Sequence, residues 1–302
     1  LFEAYLIVDW SASAKPKTGK DSIWIGLLAR DARLQYRLTT ANPSTRLAAR
    51  ELIGDLIEKL IKRGDKVFVG FDFALGYPAG TAAAMGLTKT GDGLPWQALH
   101  GHLSAKVKER EDNSNARFAL AAGMNYAMTK GPHPFWGTTK RDAVSTLSMK
   151  KGDFSSKDSL AEHRLCEGWV RETYKARPKS VWQLMGAGAV GSQALLGIPT
   201  VQALRTRFEG SRIWPFETGF APLTPEALDG VDCVLGEVYP SLVPVQPEAG
   251  EVVDAAQVRT LAWHLQTLDK AGELAAAFGP PEGLTEAEIA VIGAEEGWIL
   301  AK

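Results

Sequence analysis

Asp9, Asp72 and Glu237 share one local setting, and it points to cation chemistry. Each ends or interrupts an apolar run, Ala4-Tyr-Leu-Ile-Val-Asp9, Lys66-Val-Phe-Val-Gly-Phe-Asp72 and Cys233-Val-Leu-Gly-Glu-Val-Tyr239, and loop formers such as Ser11, Gly76 and Pro240 follow. Runs of this kind read as strands inside a sheet, where an unpaired carboxylate is costly. Three converging carboxylates repel one another, and a hard cation such as Mg2+ relieves that repulsion while leaving positions open for water and phosphate oxygens. The plainer reading is that strand-end acids accept hydrogen bonds from turn amides. Asp254, which opens Asp254-Ala-Ala-Gln257, reads either as a fourth member of the set or as a helix N-cap.

Other residue types offer competing chemistry. Arg164 with Glu167 is either a phosphate-steadying pair beside His163 or an ordinary ion pair one helical turn apart. Gly186-Ala-Gly-Ala-Val-Gly191 spells the G-x-G-x-x-G pattern of dinucleotide sites, with Glu209 near the spacing of a ribose-binding acid. No βαβ unit surrounds that pattern and Pro199 follows closely, so a glycine-permitted turn is the preferred reading. His100, His102 and His133 lack zinc-ligand spacing and read as surface histidines. Trp96, Phe135 and Trp136 are either base-stacking platforms or packing residues. Ser11, Ser13 and Lys15 form a polar loop beside Asp9 that suits phosphate.

The elements that must position these groups follow from periodicity. Two further strands, Ile23-Trp-Ile-Gly-Leu-Leu-Ala29 and Arg33-Leu-Gln-Tyr-Arg-Leu-Thr39, flank a hairpin connection. Asn42-Pro43 signals a helix start, and Leu52, Ile53, Leu56, Ile57, Leu60 and Ile61 form its apolar stripe. Residues 80–157 lose clear strand pattern and read as a mainly helical and loop insertion. A capping box at Ser159-Leu-Ala-Glu162 predicts a helix ending before Pro178, and Arg212-Ile-Trp-Pro-Phe216 reads as an edge strand. Helices are predicted from Asp254 through Leu268 and again from Thr285.

The 302 residues, 45% hydrophobic and 23% charged, suffice for a large core and exclude intrinsic disorder. A net charge of −1 gives no whole-molecule attraction to polyanions. Residues 89–157, however, carry 11 Lys and Arg against 6 Asp and Glu, so nucleic acid or nucleotide would be attracted there, unless this is ordinary charge scatter on a solvated insert. Two cysteines, Cys166 and Cys233, form no disulfide framework and fit a reducing compartment. No run is long enough to span a membrane, and the first ten residues lack a basic secretory region, so cytoplasmic residence is expected.

The segments Ile7-Val-Asp-Trp-Ser-Ala12, Gly70-Phe-Asp-Phe73, Arg164-Leu-Cys-Glu167, Glu237-Val-Tyr-Pro-Ser241 and Asp254-Ala-Ala256 resemble a bacterial family of uncharacterised proteins regarded as RNase H-fold nucleases. Trp10 stands where many members have glycine, which marks a divergent subgroup. The resemblance implies one α/β domain over residues 1–302, a mixed sheet flanked by helices and interrupted by the 80–157 insertion. It implies a metal-binding set of Asp9, Asp72, Glu237 and Asp254; RNase H enzymes also use an acid on the first helix, for which Glu51 or Glu58 can be offered, neither within a distinctive motif. The expected activity is Mg2+- or Mn2+-dependent hydrolysis of phosphodiesters, with Arg164 and Glu167 assisting. A non-catalytic nucleotide-binding or sensing protein, or an inactive scaffold that binds a partner through the basic insert, are the alternatives. Oligomeric state is not indicated.

Overall fold

The structure, a computed structural model, describes residues 1–88, 93–156, 160–186 and 188–301. It is an α/β fold built on a mixed seven-stranded sheet flanked by helices. The strands are β1 (Ala4–Asp9), β2 (Trp24–Arg30), β3 (Tyr36–Ala41), β4 (Val67–Phe71), β5 (Ser211–Ile213), β6 (Cys233–Val238) and β7 (Ile299–Leu300). Their order is β3-β2-β1-β4-β6-β5, with β7 also paired to β6. Strand β2 runs antiparallel to both of its neighbours, β1 and β3, while β1–β4, β4–β6, β5–β6 and β6–β7 pair in parallel.

The unbroken apolar run of β1 is explained by burial on both faces. Ala4, Leu6 and Val8 enter one core, and Tyr5 and Ile7 enter the other. The same alternation holds in β4, where Val67, Val69 and Phe71 share the first core and Phe68 the second.

Among the described residues nine α-helices cover these faces: α1 (Arg46–Lys62), α2 (Thr81–Ala84), α3 (Pro95–Lys106), α4 (Arg117–Thr129), α5 (Leu165–Tyr174), α6 (Val190–Arg207), α7 (Val253–Lys270), α8 (Leu274–Ala277) and α9 (Glu286–Val291). Helices α1, α3 and α6 pack on the first core through Ile53, Ile57, Leu99, Leu195 and Ile198. Helices α5 and α7 pack on the second through Val170, Val258 and Leu261. Residues 80–157 are indeed helix and loop where described, and Leu99, Leu103, Met124 and Phe135 place them in the same core as β1.

Two helix boundaries differ from the sequence expectation. The N-cap of α1 is Thr45, whose hydroxyl accepts from Ala48 N at 3.2 Å; Asn42 instead accepts from Gly19 N at 2.6 Å and ties down the β1–β2 loop. The start expected at Ser159 lies outside the described residues, and α5 begins only at Leu165, where Arg164 N donates to Glu167 Oε2 at 2.5 Å.

Helix α6 begins inside the glycine pattern, which read as a turn, and continues past Pro199. Pro199 sits inside it, at the cost of one intrahelical bond, but Leu195, Leu196, Ile198 and Val201 are buried around it and hold the helix in place. Gly197 is required for packing: a Cβ there would lie 2.3 Å from the Phe73 ring.

Among the described residues no helix is long and apolar enough to cross a membrane. Cys166 and Cys233 are buried free thiols.

Candidate functional site

The parallel register decides which acids meet. Val8 pairs with Phe71, and Phe71 pairs with Glu237, so Asp9 and Asp72 stand next in line on adjacent strands, with Val238 at the matching position of β6. Successive side chains leave opposite faces of a strand. Asp9 and Asp72 therefore share an orientation, and Glu237, one position out of step, takes the other.

Asp9 and Asp72 form a hydrogen-bonded carboxyl pair at the C-terminal edge of β1 and β4. Asp72 N donates to Val8 O at 3.1 Å, and Trp10 N donates to Asp72 Oδ1 at 2.7 Å, so the two strand exits are laced together. Burial, followed by the charge of Asp72, holds the Asp9 carboxyl well above the usual carboxylate range; Asp254 and Asp21 add to the rise. Burial also raises Asp72, against the hydrogen bonds from Asp9 and Trp10 N that lower it. Two carboxyls in this relation share a proton or share a cation. Both remain partly accessible to solvent.

Asp254 belongs beside this pair. The N-cap of α7 is Val252, so Asp254 is not the helix cap; it lies in the first turn, and its Oδ2 accepts from Asp21 N at 2.6 Å. That bond anchors the end of the β1–β2 loop, whose Lys15, Lys17 and Lys20 are exposed. The other end of the loop is held by Arg46, a fully buried residue whose Nη1 donates to Ser11 O at 2.9 Å and Ser13 O at 2.7 Å. Its Nε pairs with Glu109.

Glu237, Arg164 and Glu167 form a separate, buried network. Arg164 Nη1 and Nη2 reach Glu237 Oε2 and Oε1 at 2.8 and 2.6 Å. Its Nε and Nη2 reach Glu167 Oε1 at 2.9 and 2.6 Å, and Nη1 also donates to Glu296 O at 2.9 Å. All five guanidinium N–H groups are thus used, and none is left for a phosphate. Leu75 N donates at 3.1 Å to Glu237 Oε2, the oxygen that also accepts from Arg164 Nη1. Burial raises the Glu237 carboxyl and Arg164 opposes that rise. Glu295 and Glu296 extend the network by accepting from Gly80 N and Ala82 N, and from Ala79 N and Leu165 N.

Glu51 and Glu58 sit on the outer face of α1, clustered with Asp55 around Arg207, and do not join the acid pair. Trp96, Phe135 and Trp136 are buried in the first core, so packing has claimed them rather than base stacking. His100 is buried, not a surface residue: its Nε2 lies 2.7 Å from Leu75 O, and burial pushes its pKa down to about 4.

In the glycine pattern, Ala187 lies outside the described residues. Gly191 N is spent on Gln183 O at 2.9 Å, and a Cβ on Gly191 would lie 2.4 Å from Val181 O, so this glycine serves close backbone packing. Sequence reasoning missed Gln193, in the first turn of α6. Its Nε2 donates to Trp10 O at 2.6 Å and lies 3.5 Å from Asp72 Oδ2. Its signal was the helical spacing of Val190, Ala194, Leu195, Ile198, Val201 and Leu204 across Pro199.

No family model, curated protein or solved structure matches the chain. Among the described residues no group of three or more His, Cys, Asp or Glu side chains is placed to hold a metal ion. The donor set at the sheet edge is accordingly two carboxyls, Asp9 and Asp72, with Asp254 close enough to raise both.

Proposed function

We propose that the protein is a divalent-metal-dependent phosphodiester hydrolase of RNase H-like fold, in which Asp9 and Asp72 hold the cation. The observation that carries this reading is the carboxyl pair, partly accessible and hydrogen-bonded at the ends of two adjacent parallel strands. The strand order supports the fold assignment: three antiparallel strands, a helix, a fourth strand parallel to the first, then a further parallel strand and a long late helix.

The donor set fits Mg2+ or Mn2+ in a hydrated mode, since Mg2+ commonly uses one or two carboxylates and keeps several waters, and does not need an all-protein cage. When bound, such a cation supplies Lewis-acid polarisation of the phosphodiester and acidifies a water. The chain's own groups do the rest. Gln193 and Trp10 N orient Asp72, Asp254 secures the loop through Asp21 N, and Lys15 and Lys20 on that loop offer positive charge to a phosphate. Arg164, Glu167 and Glu237 serve the fold beneath the site.

The test is turnover of bis(p-nitrophenyl) phosphate and of labelled DNA and RNA with Mg2+ or Mn2+. Metal-dependent hydrolysis that Asp9→Asn and Asp72→Asn each abolish supports the reading. Absence of turnover on every substrate, or turnover indifferent to Asp9→Asn, overturns it.

A further inference from the structure

An open cleft of about 750 Å³ lies between the end of α5 and the segment that follows it. Lys151, Arg171, Lys175, Arg177 and Lys179 line it, against the single carboxylate of Glu162. Glu162 is already committed to Lys151 at 2.7 Å. Arg177 and Lys179 are exposed and make no ion pair among the described residues. Arg171 Nη2 lies 3.0 Å from His163 Nε2, so that ring nitrogen is spent accepting from the guanidinium, and His163 Nδ1 is buried without a partner among the described residues. A nearly neutral chain has thus gathered several cations on one concave wall, where they repel unless an anion joins them.

The wall is linked to the acid pair through the start of α6. Lys179 packs against Gly188, where a Cβ would come within 3.0 Å of its Cγ. Gln183, also in the cleft, takes Gly191 N, and two residues later Gln193 reaches Trp10 O and Asp72.

We propose that this cleft binds consecutive phosphates of a single-stranded nucleic acid, on the strand that extends from the bond held at Asp9 and Asp72. The assignment of a polymer rather than a small phosphodiester rests on the hydrolase reading, but phosphate binding by the cleft does not. Several cations spread along an open wall match several phosphates in a row. A duplex presents its phosphates on a broad convex surface that a cleft of this size does not admit.

The experiment is fluorescence anisotropy with a fluorescein-labelled oligothymidylate, using the full chain in EDTA so that neither cation nor turnover contributes. Wild type is expected to bind, and Arg177→Glu/Lys179→Glu to weaken binding at least tenfold, with circular dichroism and thermal unfolding unchanged. The milder Arg177→Ala/Lys179→Ala should weaken binding less and flatten the plot of log K against log salt by roughly 0.7 per lost phosphate contact. Asp9→Asn should bind at least as tightly as wild type. Equal affinity of wild type and both double variants overturns the proposal, as does tighter binding of the matching duplex or equal competition by poly-glutamate. Loss of the cleft effect beside Asp9-dependent turnover would remove this inference and leave the hydrolase reading standing.

Discussion

Arg164 and Glu237 meet through two parallel hydrogen bonds, 2.8 and 2.6 Å long, with both side chains almost wholly buried. Arg164 also holds Glu167, so it is one cation serving two buried carboxylates, and Arg164→Met leaves both uncompensated. That change should cost about 3–5 kcal/mol of unfolding free energy, measured by urea denaturation. The double change Arg164→Met/Glu237→Leu removes one of the two stranded carboxylates and should recover part of that loss. Stability of the single variant equal to wild type would show that the pair does not hold the fold.

The bond from Asp21 N to Asp254 Oδ2 predicts a local effect. Asp254→Ala should cost about 1 kcal/mol and speed amide hydrogen exchange in residues 15–21 without altering exchange in β1. Unchanged exchange in that loop would mean that other contacts hold it.

Asp9 and Asp72 are held together against burial and mutual repulsion. In EDTA, Asp9→Asn should raise the Tm in differential scanning calorimetry, because an amide keeps the hydrogen bond to Asp72 and carries no charge. A lowered Tm would show that the pair contributes to stability without a cation.

His100 provides a pH signature. Burial lowers its pKa from 6.5 to about 4, so the unfolded chain takes up the proton first as pH falls. Its contribution is complete above the unfolded value and is lost as pH drops from about 6.5 towards 4, to a total of about 3 kcal/mol. Urea melts at pH 7.5 and 4.5 should show wild type losing stability relative to His100→Phe; parallel losses would contradict this.

The strands β1, β2, β4 and β6 and the helices α1 and α7 were legible because their apolar patterns are strong and local. Asp9 and Asp72 were legible for the same reason, as acids at the ends of apolar runs. Glu237 carries the same local signature, but what separates it is register, a one-residue offset between β4 and β6 that no single strand reveals. Asp254 looked like a cap because its own helix start offered that role, whereas its partner, Asp21, lies on a loop more than two hundred residues earlier. Helix α6 was hidden by Pro199 and by glycines whose reasons are tertiary, the Phe73 ring against Gly197 and the Val181 carbonyl against Gly191. Gln193 was lost with it. Two-residue β7 is too short to carry a pattern at all.

The account turns on Asp9 and Asp72 as the cation site and on Glu237 as a structural acid. Isothermal titration calorimetry with Mn2+ on wild type, Asp9→Asn, Asp72→Asn and Glu237→Gln, each checked for folding by circular dichroism, tests both at once. Saturable binding by wild type and Glu237→Gln that is lost in Asp9→Asn and Asp72→Asn is the expected result. Mn2+ binding that survives Asp9→Asn, or wild type that binds none, would contradict it.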